Sequence, residues 1–313
     1  MNSIDQLKLS IFELYPLAYK VHRKFSRKVI FFLKTIFYRQ EISTIVQFFS
    51  TTIKLPIIQY NARIYGKIFD PYIFCCLKIT KKMAYIMEHY KYLQATFSDQ
   101  FISDIYLEKS TYVLLGKLQL DNSRILNIML YKPSPGFMKE GELSLMLLDE
   151  ATQISVFSST FIFNTEDNKT RIIIGRIQGV PSRYEDGDVI IKELTKKMHG
   201  LRPSALLMFV FQCLSKGLKL DEIWAVTTDQ HISRCSNLKR RHKFKMDYNQ
   251  YWDEFGGVKI NHHYYNLPTN YKPKEMTEVK SNKRSMYTRR FSMLNQLEET
   301  ILNSLEELRF KNA

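Results

Sequence analysis

Between roughly residues 110 and 179 the chain carries one apolar, β-branched run after another, each closed by polar turn residues. That succession is what most constrains the fold. TYVLLGKLQL and RILNIMLYK flank Asp121-Asn122-Ser123 and read as a hairpin. GELSLMLLD and QISVFSSTFIF follow across a short polar break, and NTEDNKT leads into RIIIGRIQG. The expectation is an antiparallel meander of about five strands. The period then changes: DVIIKELTKKMHG and RPSALLMFVFQCLSKGL have helical length, with Pro203 suited to a first turn. EIWAVTT, residues 222–228, returns to a buried strand, and YNQYWDEFGG adds aromatics and a Gly pair. Strands, then helices, then one more apolar strand predict an α/β (α+β) class, a central mostly antiparallel sheet with flanking helices.

Outside this core the pattern differs. Residues 1–105 read as a basic helical N-terminal region, with Lys20, Arg23, Lys24, Arg27, Lys28, Lys34 and Arg39 crowded around FSRKVIFFLKTIF. The core domain spans 106–266. Residues 267–290 are polar and Pro-punctuated and read as a linker. In 291–313, Leu294, Leu297, Ile301, Leu305 and Leu308 share one face of an amphipathic helix that docks on the domain or on a partner.

A formal net charge of +15 calls for an anionic partner. An anionic membrane surface, an acidic carrier protein and a phosphorylated co-substrate all qualify. Nucleic acid is disfavoured, because the charge is not joined to a recognisable reader fold or to an aromatic single-strand platform. Cys75, Cys76, Cys213 and Cys235 lack metal-ligand spacing, and an adjacent pair with two distant singles is a poor disulfide framework, so a reducing compartment is expected. The first residues, MNSIDQLKLS, lack the features of a secretory leader, and no apolar window is long enough to cross a bilayer. The expected location is cytoplasmic, with peripheral attachment to an inner membrane open. There is no P-loop, H-E-x-x-H, G-x-S-x-G or zinc spacing, so no metal site and no tightly bound cofactor is expected.

Five stretches carry candidate chemistry. In IIIGRIQG the strand ends at two glycines, so Arg176, Gln178 and Gly179, with Arg183 beyond, either cradle a phosphate-bearing donor or merely end a core strand. His199 and Arg202, in HGLRP, form either a base and an anion clamp or an ordinary helix cap before a Pro-started helix. Asp229 and His231 follow the strand EIWAV, where an acid/base pair or plain surface residues would sit. Tyr251 and Trp252 read as core or pocket wall, and Glu142, an acid inside an apolar strand, needs a partner, for which Arg176 is the expectation.

The ordered set GELSLML, IIIGRIQG, TKKMHGLRPSALL, IWAVTTDQHIS and YNQYWDEFGG resembles the VirK/YbjX family over roughly residues 60–265. The resemblance implies a virulence-associated protein of Gram-negative bacteria, tied to surface display of an outer-membrane protein and to antimicrobial-peptide resistance. It names no reaction. The element order also resembles the Gcn5-related N-acyltransferases (GNAT), which implies an acyltransferase drawing on acyl-CoA or acyl carrier protein. The departure is definite: Val180-Pro181-Ser182 follow Gly179, and roughly twenty residues separate them from the apolar helix at Pro203. The alternative is a non-enzymatic membrane-surface or chaperone-like factor for an outer-membrane virulence protein.

Overall fold

A computed structural model describes residues 25–57, 63–107, 112–121, 124–235 and 246–309. The turn residues Asn122 and Ser123, the basic segment 236–245 and the cations Lys20, Arg23 and Lys24 lie outside the described residues.

Nine helices and eight strands are formed among the described residues. The N-terminal part is helical: α1 (Phe25–Phe37), α2 (Arg39–Thr51), α3 (Arg63–Lys67), α4 (Ile79–Thr96) and α5 (Asp99–Tyr106). The meander follows as β1 (Tyr112–Asp121), β2 (Arg124–Tyr131), β3 (Leu143–Asp149), β4 (Ile154–Glu166) and β5 (Lys169–Gly179). Then come α6 (Gly187–Lys197), α7 (Pro203–Leu218), β6 (Glu222–Val226), α8 (Tyr248–Glu254), β7 (Val258–Lys259), β8 (Tyr264–Leu267) and α9 (Arg284–Leu308).

All eight strands join one sheet in the order β1-β2-β3-β4-β5-β6-β8-β7. Every neighbouring pair is antiparallel except β5 and β6, which run parallel across the α6–α7 connection. β7 and β8 were not expected from the sequence. They are two and four residues long, below the length at which alternation separates a strand from a loop.

α7 is apolar nearly all round because it is covered twice: it packs on β3 to β6 below and on α9 above. Pro203 sits at its first turn, and Lys219, left-handed at φ 53, ends it. The face of α9 read from the sequence, Leu294, Leu297, Ile301 and Leu305, is buried on β1 and α7. α4 lies on β4 and α2 on α4, and the buried residues of α2 to α5 belong to the same hydrophobic cluster as the sheet.

That junction also holds Glu142, and the structure corrects its pairing. Glu142 accepts from Lys67 Nζ at 2.5 Å, from the Tyr72 hydroxyl at 2.8 Å and from the Tyr90 hydroxyl at 3.0 Å, not from Arg176. The Tyr106 hydroxyl donates to its backbone carbonyl. A carboxylate this deeply buried persists because each oxygen is bonded and one partner is cationic.

Candidate functional site

β5 and β6 part company early. Their parallel register runs only from Arg171↔Glu222 to Ile174↔Ala225, whereas β5 stays paired with β4 as far as Gly179. The parting coincides with a bulge at Gly175, where a Cβ would sit 2.0 Å from the Glu140 carbonyl oxygen. Glycine is needed there because another segment of the chain itself approaches. Gly179 faces no such demand, its nearest neighbour being the Phe157 ring at 3.4 Å.

Beyond the bulge, the β5 edge turned toward β6 is met by one side chain. The Tyr248 hydroxyl donates to the Ile177 carbonyl at 3.0 Å, and its oxygen accepts from the Ile177 N–H at 3.1 Å. Tyr248 is fixed because α8 is bolted to the turn after β6. Asp247 caps the helix, accepting from the N–H groups of Asn249 and Gln250 and from the Thr228 hydroxyl. Asn249 Oδ1 accepts from the Thr228 N–H, and Trp252 Nε1 donates to the Val226 carbonyl. The Thr228 hydroxyl and the capped N–H groups hold the Asp247 carboxyl below its ordinary pKa.

Beside this splay lies a polar row, buried except at the half-buried Tyr131. Tyr131, Ser144, Thr160 and Arg176 are successive cross-strand partners on β2, β3, β4 and β5, so their side chains share one face. Ser144 and Thr160 hydroxyls are 3.0 Å apart, and Ser159 Oγ donates to the Arg176 carbonyl at 2.8 Å. Arg176 is only 4% exposed. Its guanidinium carbon lies 3.4 Å from the Phe137 ring centre, and neither terminal nitrogen has a hydrogen-bond partner among the described residues. Burial lowers its pKa, opposed by the charge of Glu140.

His231 closes the cluster. Its ring centre is 5.0 Å from that of Tyr248, and its Nδ1 accepts from the Ser233 N–H at 3.2 Å. Burial, and then the charges of Arg176 and Arg234, push its pKa down to about 3. It is therefore neutral at physiological pH. Asp229 is exposed, and His231 Nδ1 is bonded to the Ser233 N–H while Nε2 has no hydrogen bond to Asp229.

The remaining sequence candidates are placed as follows. Gln178 and Gly179 are half-buried at the open end of β5, and Arg183 is exposed, stacked on Tyr184. His199 has left-handed φ 53 after α6, and its carbonyl accepts two bonds from Arg290 of α9. Arg202 precedes α7 at the surface and pairs with Glu254 at 2.8 Å. Tyr251 donates to the Ser204 carbonyl and Trp252 is fully buried, so both wall the core behind α8. The structure thus brings Arg176 and His231 together and engages His199 and Arg202 elsewhere. Tyr131 joined the cluster without a sequence signal, and Tyr248 reads from the sequence only as core or pocket wall with its neighbours Tyr251 and Trp252, since an aromatic at a strand or helix end reads as core.

Three further features bear on chemistry. A disulfide joins Cys75 to Cys235, although the four cysteines read as a poor disulfide framework; Cys76 is exposed and Cys213 buried. The bond anchors the 72–76 turn on the loop that carries His231, with Phe74 bridging to His231 and the Cys75 N–H donating to the Gln230 carbonyl. A cavity of 510 Å³ lies apart from the polar row, between α7, α9 and residues 270–276. It is lined by Phe209, Tyr271 and Phe291 and includes Cys213, whose thiol burial pushes up to about 12. No group of three or more metal-binding side chains occurs among the described residues.

A family described as "Protein of unknown function (DUF535)" matches residues 20–303. An uncharacterized protein YbjX of Escherichia coli (strain K12) is 29% identical over 229 residues, 73% of this chain and 68% of that one. Two uncharacterized proteins of Haemophilus influenzae are each 29% identical, over 158 and 134 residues. Those alignments span 50% and 43% of this chain and 51% and 44% of theirs. No solved structure gives a significant match.

Proposed function

Since the chain belongs to the DUF535 family, the VirK/YbjX family that its motifs resemble, we propose that it is an acyltransferase of GNAT-like architecture with a thioester donor. The observation that carries this reading is the splay between β5 and β6. Ligands of sheets with parallel strands gather outside the carboxyl ends of those strands, where the strands diverge. Here the freed Ile177 N–H and C=O are satisfied by a single phenol. An extended donor arm bearing amides presents the same pair of groups and adds to the β5 edge as a short strand.

An acyl carrier protein suits this chain better than acyl-CoA. No helix opens directly after Gly179: α6 begins at Gly187, so the β5 end lacks the helix N-terminus that would hold a nucleotide pyrophosphate. A donor delivered by an acidic protein meets a chain of net charge +15 and needs no such loop.

The chemistry is then positioning and oxyanion stabilisation. An acceptor amine or hydroxyl attacks the thioester carbonyl, and the Tyr248 hydroxyl, turned from Ile177, donates to the oxygen as negative charge develops. Collapse breaks the C–S bond and expels the thiolate, which takes up the proton the acceptor gives away. With a pKa of about 3, His231 is a weak base; its Nδ1 is taken by the Ser233 N–H, so the proton sits on Nε2, which orients the acceptor by donating a hydrogen bond. An acceptor at the cell surface would link the reaction to the surface display and peptide resistance that the resemblance implies.

The test is native mass spectrometry of the folded protein with acyl-CoA and with acylated carrier protein. A bound donor, weakened by Tyr248→Phe, supports the reading. A folded chain that retains neither donor overturns it.

A second reading, attachment to an anionic membrane surface, has its own observation. α1 exposes Val29, Ile30, Leu33, Ile36 and Phe37, which recur at helical spacing on one face. The two readings are compatible, since a surface-bound enzyme is still an enzyme.

A further inference from the structure

Arg176 lies too deep to meet the charges of a carrier protein or a nucleotide at the surface. A buried guanidinium without hydrogen bonds is costly unless something accepts from it. Glu140 is the acid nearest in effect, yet neither terminal nitrogen of Arg176 has a hydrogen-bond partner among the described residues. Phe137 covers one face of the guanidinium, which leaves the in-plane edge as its donor surface. Both terminal nitrogens lie on that edge, in the geometry that holds a planar oxyanion by two parallel bonds.

We propose that Arg176 is the floor of a carboxylate-binding subsite, and that the acceptor of the reaction carries the carboxylate. The second part rests on the acyltransferase reading. The subsite favours a carboxylate over a phosphate on charge. His231 is neutral, Glu140 offsets the charge of Arg176, and Arg234, the other cation in reach of His231, is exposed and screened by solvent. A dianion would find too little positive charge there. From Arg176 the hydroxyls of Thr160, Ser144 and Tyr131 continue along the same face of the sheet. They suit a polar body attached to the carboxylate, with its nucleophile held toward Tyr248 and the splay.

The probes are N-acetylglycine and methylphosphonate, with sodium chloride at matched ionic strength, read by thermal shift and isothermal titration on the full chain. N-acetylglycine is expected to raise Tm saturably beyond chloride. Arg176→Lys keeps the charge but loses the fork and should bind at least tenfold more weakly, with its ligand-free Tm near that of the parent. Arg176→Met should fold and lose the response. The proposal is overturned by a parent response no larger than that to chloride, by an equal response in Arg176→Lys, or by tighter binding of methylphosphonate. Carboxylate binding without donor binding in the mass spectrometer would sink the acyltransferase reading and leave the subsite standing. Donor binding without a carboxylate response would do the reverse.

Discussion

At Glu142 the carboxylate accepts three hydrogen bonds, and at His89 both ring nitrogens are used, Nδ1 by the Phe163 N–H and Nε2 by the Tyr106 hydroxyl. These are buried polar groups that the fold itself satisfies. Arg176 differs, because its backbone carbonyl is bonded while its terminal nitrogens are not. The histidines give a prediction with a definite sign. Burial holds the pKa of His89 well below 6.5 and that of His231 near 3. The unfolded chain therefore binds protons that the native chain refuses as the pH falls below about 6.5. Stability is full above that value and is lost toward pH 3, at ~1.4 kcal/mol per pH unit for each histidine. Urea unfolding between pH 7 and 5 should show this fall, and His231→Gln should remove about one proton from its slope. An unchanged slope would mean that His231 is protonated or exposed in the folded protein. Arg176 and His231 were legible as candidates because each follows an apolar run. The Lys67 to Glu142 pair was not, since it joins residues 75 apart and nothing in either stretch names the other.

Among the elements, the long periodic ones were readable and the short ones were not. β1 to β5, α6, α7 and α9 declare themselves by alternation or by helical spacing over seven or more residues. β8 is hidden in an Asn- and His-rich stretch, and its pairing with β6 is what places Tyr264 and Tyr265 in the core. α1 was legible as basic and amphipathic, but its sequence did not say which face would be buried. The structure buries Phe31 and Thr35 and leaves the opposite stripe open, with Phe37 81% exposed. Apolar side chains beside Lys34 and Arg39 suit the interface of an anionic bilayer. In flotation, the protein should bind vesicles of phosphatidylglycerol and phosphatidylcholine at low salt and lose most of that binding at high salt. Leu33→Glu with Phe37→Glu should cut the partition at least tenfold without changing the circular dichroism spectrum. Equal binding to pure phosphatidylcholine, or none to either vesicle, would remove the membrane reading and leave α1 for another partner.

For the whole molecule, the N-terminal helices and the sheet share one core, and the ties across it include the Lys67 to Glu142 pair and the Cys75 to Cys235 disulfide. The disulfide was invisible in the sequence because cysteine spacing reveals a framework only when loops are short and repeated. Here the partners are 160 residues apart and meet only after β6 has taken its place beside β5. Cys76 has left-handed φ 60 and is exposed, so of two adjacent thiols only Cys75 turns inward to Cys235. Closing a loop of that length removes much of the freedom of the unfolded chain, about 5 kcal/mol in the chain-entropy estimate. Urea unfolding of the oxidised protein, the reduced protein and Cys235→Ser, each in a Cys76→Ser background that prevents exchange, measures the contribution. The oxidised form should be the most stable by ~3–5 kcal/mol, with the reduced form and Cys235→Ser alike. The donor-binding consequence follows from position: the bond holds the loop bearing His231, so reduction should weaken thioester binding as well as the fold. If reduction lowered stability but left donor binding intact, His231 would be held by its own buried contacts, and the disulfide would serve the core alone.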